Sequence, residues 1–374
     1  MRLLHLNAGN LYGGIETYLV TLAKLARSES TLEHTFLLTS EGRLSSELQL
    51  LGADVRFAGP ARLSRPWTLR RARQALRFTI DEVRPDMVIA HGPWPLVVFA
   101  PDRTRDGPSV VLYLHVNDSG GWLDRLAHRV SVDGIVANSN FTATVGRRGW
   151  RASPVWVCRY PVPEPPPVDR SVVREELRLA ESDVAILQVS RFQEWKGQLL
   201  HLAALHRLPR ELPWRAFLVG GASRPSEIEL RSKVLKLASA LPNGKFTLLG
   251  ERSDVPRLMR AADIFCQPNT GPEPFGLVFV EALWAGVPVV TTRMGGAVEI
   301  IDDSCGRLCG ADPESVAAAL EALVRSADLR HSLGREGPTR AARLCSSDEA
   351  LRELKATLKA VKERRTAARE MSWA

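Results

Sequence analysis

Short apolar runs alternate with amphipathic stretches along nearly the whole chain. RLLHL at 2–6 is apolar and leads into a glycine-rich NAGNLYGG. After it, Ile15, Tyr18, Leu19, Leu22 and Leu25 recur at helical spacing. The pattern predicts a strand, a glycine loop and a helix. HTFLLTS (34–40), ADVRFAG (53–59), DMVIAHG (86–92) and SVVLYLHV (109–116) predict further strands, with helices at 44–51 and 67–84 between the early ones. VDGIVANS (132–139) and PVWVCRY (154–160) continue the series. Strands and helices alternating in this way predict a parallel sheet covered on both faces.

The pattern breaks at YPVPEPPPV, 160–168, where five prolines fall in nine residues. Such a segment suits neither a helix interior nor a central strand, and reads as a stiff linker. Beyond it the alternation restarts. Strands are predicted at 184–190, 214–221, 244–250, 263–268 and 287–292, and helices near 197–206, 226–240, 254–261, 277–285 and 313–325. The expected organisation is therefore α/β, with two doubly wound Rossmann-like domains. Residues 1–159 form the first, 160–170 the linker and 171–347 the second, with 348–374 a charged C-terminal helix. In that helix Leu351, Leu354, Leu358 and Val361 make an apolar stripe. A stripe so narrow needs a partner surface, and the first domain is the expected one. Ligands of such sheets sit beyond the carboxyl ends of the strands, so a site in a cleft between two facing domains is expected.

Composition narrows the function classes. The chain has 374 residues, 45% of them hydrophobic, which suits two packed cores and excludes wholesale disorder. Its net charge of +8 favours anionic partners without choosing among phosphates, lipids and nucleic acid. The five cysteines are scattered, which argues against a disulfide framework and for a reducing compartment. The N-terminal sequence carries no signal-peptide pattern, and no long uncharged apolar run exists. A cytoplasmic setting is expected.

The chemistry concentrates in GPEPFGLVFVEALWAGVPVVTTRMGGAVEIIDD, 271–303. Pro272, Pro274 and Gly276 hold a loop before a helix that starts near Leu277, and the free N–H groups there suit an anion. Glu281 lies within that otherwise apolar helix, where a carboxylate needs good donors. Either a core arginine or a ligand diol would serve. The pair Glu273 and Glu281, eight residues apart in EPFGL…EALWAGVPVV, resembles the paired-glutamate motif of the retaining family 4 glycosyltransferases of the GT-B fold. The resemblance implies that Glu273 approaches the donor sugar and that Glu281 accepts from the ribose hydroxyls. It also implies that Phe275, Gly276 and Leu277 bring backbone N–H groups to sugar and phosphate. GGAVEII, with Gly295, Gly296 and Glu299, fits the same pattern.

Three further segments match. In VSRFQEWKG, 189–197, Arg191 and Lys196 follow the first strand of the second domain, where the family places cations on the donor diphosphate. Fixed cations stabilise the charge that grows on a leaving diphosphate. No Asp-x-Asp pair occurs, so a metal has no obvious seat and no cofactor is expected. A solvated loop lysine is the plainer reading of Lys196. Gly13 and Gly14, before Glu16, resemble the family's N-terminal glycine loop, whose backbone approaches the donor phosphate. His115 in LYLHVND ends a strand, and the resemblance sets its side chain or its carbonyl at the anomeric centre; a histidine merely satisfied at a strand end is the alternative. Asp118 falls three positions on, where the family often has Asp directly after His.

Residues 62–78 carry Arg62, Arg65, Arg70, Arg71, Arg73 and Arg77 and no acidic residue, with Trp67, Leu69, Leu76 and Phe78 as apolar anchors. Such a helix can lie on an anionic membrane surface or can simply be solvated. Nucleic acid is not expected, because no aromatic stacking pattern accompanies the arginines. The expected function is a retaining, metal-independent glycosyltransferase moving a sugar from a nucleotide diphosphate donor to a hydroxyl acceptor: a glycan, a lipid-linked acceptor or a small molecule. A phosphorylase, a nucleotide-sugar epimerase and a non-catalytic binding subunit are the alternatives.

Overall fold

In the computed structural model, which describes residues 1–10, 12–27, 31–104, 106–116 and 120–371, the chain divides into two units. The first comprises Met1–Pro161 and Ser347–Ala374, the second Val162–Ser346.

The first unit opens with β1 (Arg2–Asn7), α1 (Gly14–Ala26), β2 (Glu33–Leu38), α2 (Arg43–Leu50), β3 (Asp54–Phe57), α3 (Pro66–Val83) and β4 (Met87–His91). It continues with α4 (Pro93–Phe99), β5 (Ser109–Leu114), α5 (Trp122–Ala127), β6 (Gly134–Ala137), α6 (Asn140–Gly149) and β7 (Val155–Val157). The strands form one parallel sheet in the order β3-β2-β1-β4-β5-β6-β7. β1, β4 and β5 are continuous apolar runs because helices cover both their faces.

The second unit holds α7 (Arg170–Glu176), β8 (Val184–Val189), α8 (Gln198–Leu205), β9 (Trp214–Val219), α9 (Pro225–Ala238), β10 (Phe246–Gly250) and α10 (Val255–Ala261). β11 (Ile264–Gln267), α11 (Leu277–Trp284), β12 (Val289–Thr292), α12 (Ala297–Ile300), β13 (Gly306–Cys309), α13 (Pro313–Arg325) and α14 (Ala327–Cys345) follow. Its parallel sheet runs β10-β9-β8-β11-β12-β13, so the strand order reverses between β8 and β11. The carboxyl ends flanking such a reversal are where open α/β sheets bind ligands.

α14 was not expected. Glycines, Pro338 and charges interrupt its apolar spacing. It forms because it packs across α11, and a Cβ at Gly334 or Gly337 would fall 2.3 Å from Gly286 O or 2.7 Å from Leu283 O. α11 is therefore covered by the sheet on one side and by α14 on the other, which explains an apolar sequence all round.

The last helix, α15 (Ser347–Met371), packs on the first unit. Leu354, Leu358 and Val361 are buried, each worth about 1.5–3 kcal/mol when fully removed from water. Val361 leaves no room for a side chain at Gly134, where a Cβ would meet it at 2.9 Å. Two cations fix the far end. Lys362 Nζ bonds Asp86 at 2.6 Å, and Arg365 bonds the buried Asp133 as well as the carbonyls of Thr104 and Pro108. Among the described residues, no helix is long and apolar enough to cross a membrane. On α3, Trp67 and Phe78 are 65% and 62% exposed, but Leu76 is buried and cannot be a surface anchor.

Candidate active site

In the second unit the predicted residues converge on the carboxyl ends of β8 and β11. Arg191 follows β8. After it the chain makes one 3-10 turn, Glu194–Lys196, and enters α8 through Gly197. Gly197 has φ +71° and lies against the Pro268 carbonyl; a Cβ there would come within 1.8 Å of that oxygen. This close passage draws the Lys196 loop beside the segment after β11. Gln188 steadies the loop, its Nε2 donating to Lys196 O at 2.9 Å while His201 Nδ1 lies 2.9 Å from its Oε1. Burial pushes the His201 pKa down to about 3, so that ring is neutral.

Lys196 is an ion-pair partner rather than a solvated loop lysine. Its Nζ lies 2.6 Å from Glu273 Oε2 and 3.9 Å from the centre of the Trp195 ring. Glu273 is buried and also accepts from Asn269 Nδ2 at 3.1 Å. Its backbone forms a bridge with Gly295, and Gly296 N donates to Glu273 O at 2.6 Å. A Cβ at Gly295 would sit 2.3 Å from Glu273 O. The Gly295–Gly296 pair thus lets one backbone pass against another and fixes the loop that presents Glu273.

Phe275 is buried, and Gly276, at φ +105°, turns the chain into α11 so that Leu277 begins the helix. Glu281 lies one turn further along. Among the described residues no arginine partners it and no hydrogen bond to its carboxylate is found. The residue is half-buried, and desolvation raises its pKa to about 7.

Arg191 has a partner that the sequence reading missed. Its Nη2 lies 2.5 Å from Glu227 Oε1. Glu227, in the first turn of α9, gives its other oxygen to the Ser223 and Arg224 amides and to the Ser223 hydroxyl. The available signal was an acidic residue in the first turn of a helix that Pro225 begins, the usual place for a capping carboxylate.

In the first unit, Gly13 caps α1 and Gly14 begins it. His115 follows β5 and is buried. It ends a diagonal row of rings across the sheet. His34 Nδ1 meets His5 Nε2 at 2.9 Å, His5 Nδ1 meets His91 Nε2 at 2.9 Å, and His91 Nδ1 meets His115 Nε2 at 2.8 Å. His115 Nδ1 then bonds the Tyr160 hydroxyl, which also accepts from Asn138 Nδ2. A neutral imidazole donates from one nitrogen and accepts at the other, so the four rings share one direction. Burial lowers every ring's pKa, to about 4 for His34 and about 3 for His115, and well below the usual value for His5 and His91. Both ring nitrogens of His115 are therefore engaged, and its imidazole is uncharged. Asp118 lies outside the described residues.

The family model for "Glycosyl transferases group 1" matches residues 169–340, and that for "Glycosyltransferase Family 4" matches residues 12–162. A phosphatidyl-myo-inositol mannosyltransferase of Mycolicibacterium smegmatis is 35% identical over 150 residues, 39% of this chain and 37% of the relative. A D-inositol 3-phosphate glycosyltransferase of Corynebacterium kroppenstedtii is 33% identical over 180 residues, 46% of this chain and 39% of that protein. The chain thus spans less than half the length of these curated relatives. Among solved structures, Anabaena HepE in complex with UDP and glucose superposes with a TM-score of 0.84 at 23% identity, covering 96% of this chain and 99% of that one. Sucrose-phosphate synthase from Thermosynechococcus elongatus gives a TM-score of 0.80 at 17% identity, covering 96% and 98%. These two likenesses are of fold, and the fold they share is GT-B.

Proposed function

The chain belongs to the family 4-like glycosyltransferases of the GT-B fold, and on that premise we propose that it moves a sugar from a nucleotide diphosphate donor to a hydroxyl acceptor, with retention and without a metal. The observation that carries the reading is the Lys196–Glu273 pair at the start of α11, with Arg191 on the same sheet end and Glu281 one turn along the helix. Two cations and a helix N-terminus supply the positive charge that a leaving diphosphate requires. Glu273 is the group for the donor sugar. Glu281, which has no donor among the described residues, can accept from the two hydroxyls of a ribose. Gly13 and Gly14 open the first unit to the phosphate. His115, with its ring nitrogens committed, contributes its backbone carbonyl at the anomeric centre. The acceptor attacks from the leaving-group side and passes its proton to the departing phosphate, so no protein nucleophile is used.

Incubation with a panel of nucleotide sugars tests the reading. Nucleoside diphosphate should appear slowly by hydrolysis and faster with a hydroxyl acceptor. A phosphorylase would need inorganic phosphate, an epimerase would convert the donor without releasing diphosphate, and a binding subunit would do neither.

The acceptor bears on the surface of α3. Trp67 and Phe78, eleven residues apart, lie on one face of the helix and are exposed beside Arg70. Arg71, Arg73 and Arg77 are tied to Pro60, to Val97 and Val98, and to Asp102 respectively. The face suits peripheral contact with an anionic membrane, the setting of a lipid-linked acceptor. Cosedimentation with anionic vesicles, lost on Trp67→Ala with Phe78→Ala, is the check.

A further inference from the structure

We propose that Glu227 is a positioning residue for glycosyl transfer, holding Arg191 at the orientation in which it meets the leaving diphosphate. The inference rests on the assignment of Arg191 to the donor diphosphate, and it concerns a residue outside the matched motifs.

The two cations of the site are held differently. Lys196 is paired with Glu273, a group that the sugar itself would engage. Arg191 is paired with Glu227, which has no such second task and is 3% exposed. The carboxylate divides its two oxygens. Oε2 takes the Ser223 amide at 2.9 Å, the Arg224 amide at 3.2 Å and the Ser223 hydroxyl at 3.2 Å, which close the first turn of α9. Oε1 takes Arg191 Nη2 at 2.5 Å. Burial pushes the carboxyl pKa up, but the two amides and the guanidinium outweigh it and leave it below the ordinary value, so the group stays ionised. Meanwhile the backbone of Arg191 is pinned, its carbonyl accepting from Gln198 Nε2 at 2.7 Å. A long, partly exposed side chain is thus fixed at both ends.

A guanidinium has five N–H donors in a rigid plane, and one salt-bridged corner leaves the others for phosphate oxygens in a set direction. Direction matters most where charge is growing, because a preorganised donor stabilises the transition state without having to reorient. Removing the negative charge of Glu227 would raise the pull of Arg191 on a bound diphosphate at rest. Loss of alignment would lower it at the transition state. The two effects oppose each other in KM but not in kcat.

The experiment is steady-state kinetics of Glu227→Gln, Arg191→Ala and the double variant with a turned-over nucleotide sugar. Glu227→Gln can keep the helix cap through its amide oxygen while losing the ion pair. It should lower kcat about tenfold or more, with donor KM within about threefold. In the Arg191→Ala background it should lower kcat no further, because its effect runs through Arg191. Losses that multiply in the double variant would mean a merely structural role and would overturn the inference. Should Arg191→Ala turn over normally, the diphosphate assignment itself fails, a result distinct from the first. If Glu227→Gln does not fold, Glu227→Asp serves. It keeps charge and cap but draws the carboxylate back by one methylene, and should lower kcat about threefold at unchanged KM. Unchanged kcat in that variant would count against the inference.

Discussion

Lys196 Nζ sits 2.6 Å from Glu273 Oε2, so the cation assigned to the donor diphosphate and the carboxylate assigned to the donor sugar hold each other. On those assignments, a diphosphate arriving at Lys196 would displace Glu273, and that displacement would free the carboxylate for the sugar. Nucleoside diphosphate and nucleotide sugar should then respond in opposite ways to the same change. Glu273→Gln removes the competing charge and should bind nucleoside diphosphate about fivefold more tightly, roughly 1 kcal/mol. Turnover should fall by about two to three orders of magnitude. Calorimetric titration beside steady-state kinetics reads both. Weaker diphosphate binding, or retained turnover, would refute the exchange.

Glu281 gives a pH dependence. Burial holds its pKa at about 7, and the ribose hydroxyls would bind the ionised form. The bound carboxyl should therefore titrate lower than the free one. Donor affinity should be highest above pH 7 and fall by up to about tenfold per pH unit below it. A nucleotide sugar is the ligand to use, since its diphosphate diester does not titrate there. Glu281→Ala should weaken donor binding about twentyfold, within the range for a lost charged hydrogen bond, and should flatten the profile. Affinity within a factor of two of the unaltered protein would make the ribose assignment wrong.

The histidine row makes the first unit acid-labile. His34 and His115 titrate at about 4 and about 3 when folded, below their ordinary 6.5. Between those values the unfolded chain takes up protons that the folded chain refuses. The stabilisation is thus complete above pH 6.5 and is lost as pH falls toward 4 and 3, by up to about 1.4 kcal/mol per pH unit for each ring. Melting temperature should drop steeply from pH 6.5 to 5, and less steeply in His91→Gln. Equal slopes would show that the row does not carry the effect.

Arg365 anchors α15 through a buried bond to Asp133, whose other oxygen holds Arg103. Arg365→Ala leaves that carboxylate short of a partner and should cost about 3 kcal/mol. Truncation at Asp348 should cost more, because it also uncovers the surface under Leu358 and Val361. Denaturant midpoints measure both, and a midpoint unchanged in either protein would remove α15 from the stability of the first unit.

The central strands of the first sheet, β1, β4 and β5, were legible because each is a short, mostly apolar run. Five second-unit helices, α8, α9, α10, α11 and α13, were legible from their spacing, α13 at Pro313–Arg325 as expected, whereas the short α7 and α12 were not. α14 was hidden because its fit depends on glycines meeting α11, a tertiary fact with no periodic trace. Glu273, Glu281, Arg191 and Lys196 stood out by motif. The partner of Arg191 did not. Glu227 looks like any helix-capping glutamate until Arg191 is placed beside it. His5, His34, His91 and His115 lie far apart in sequence and meet only through strand order.

Metal-independent transfer with retention is tested most directly by proton NMR of the first glycoside formed from an active nucleotide sugar and its acceptor, in buffer containing EDTA. The anomeric proton of the product should show the donor's configuration, at a rate that EDTA leaves unchanged. An inverted product, or activity abolished by EDTA and restored by Mg²⁺ or Mn²⁺, would contradict the account.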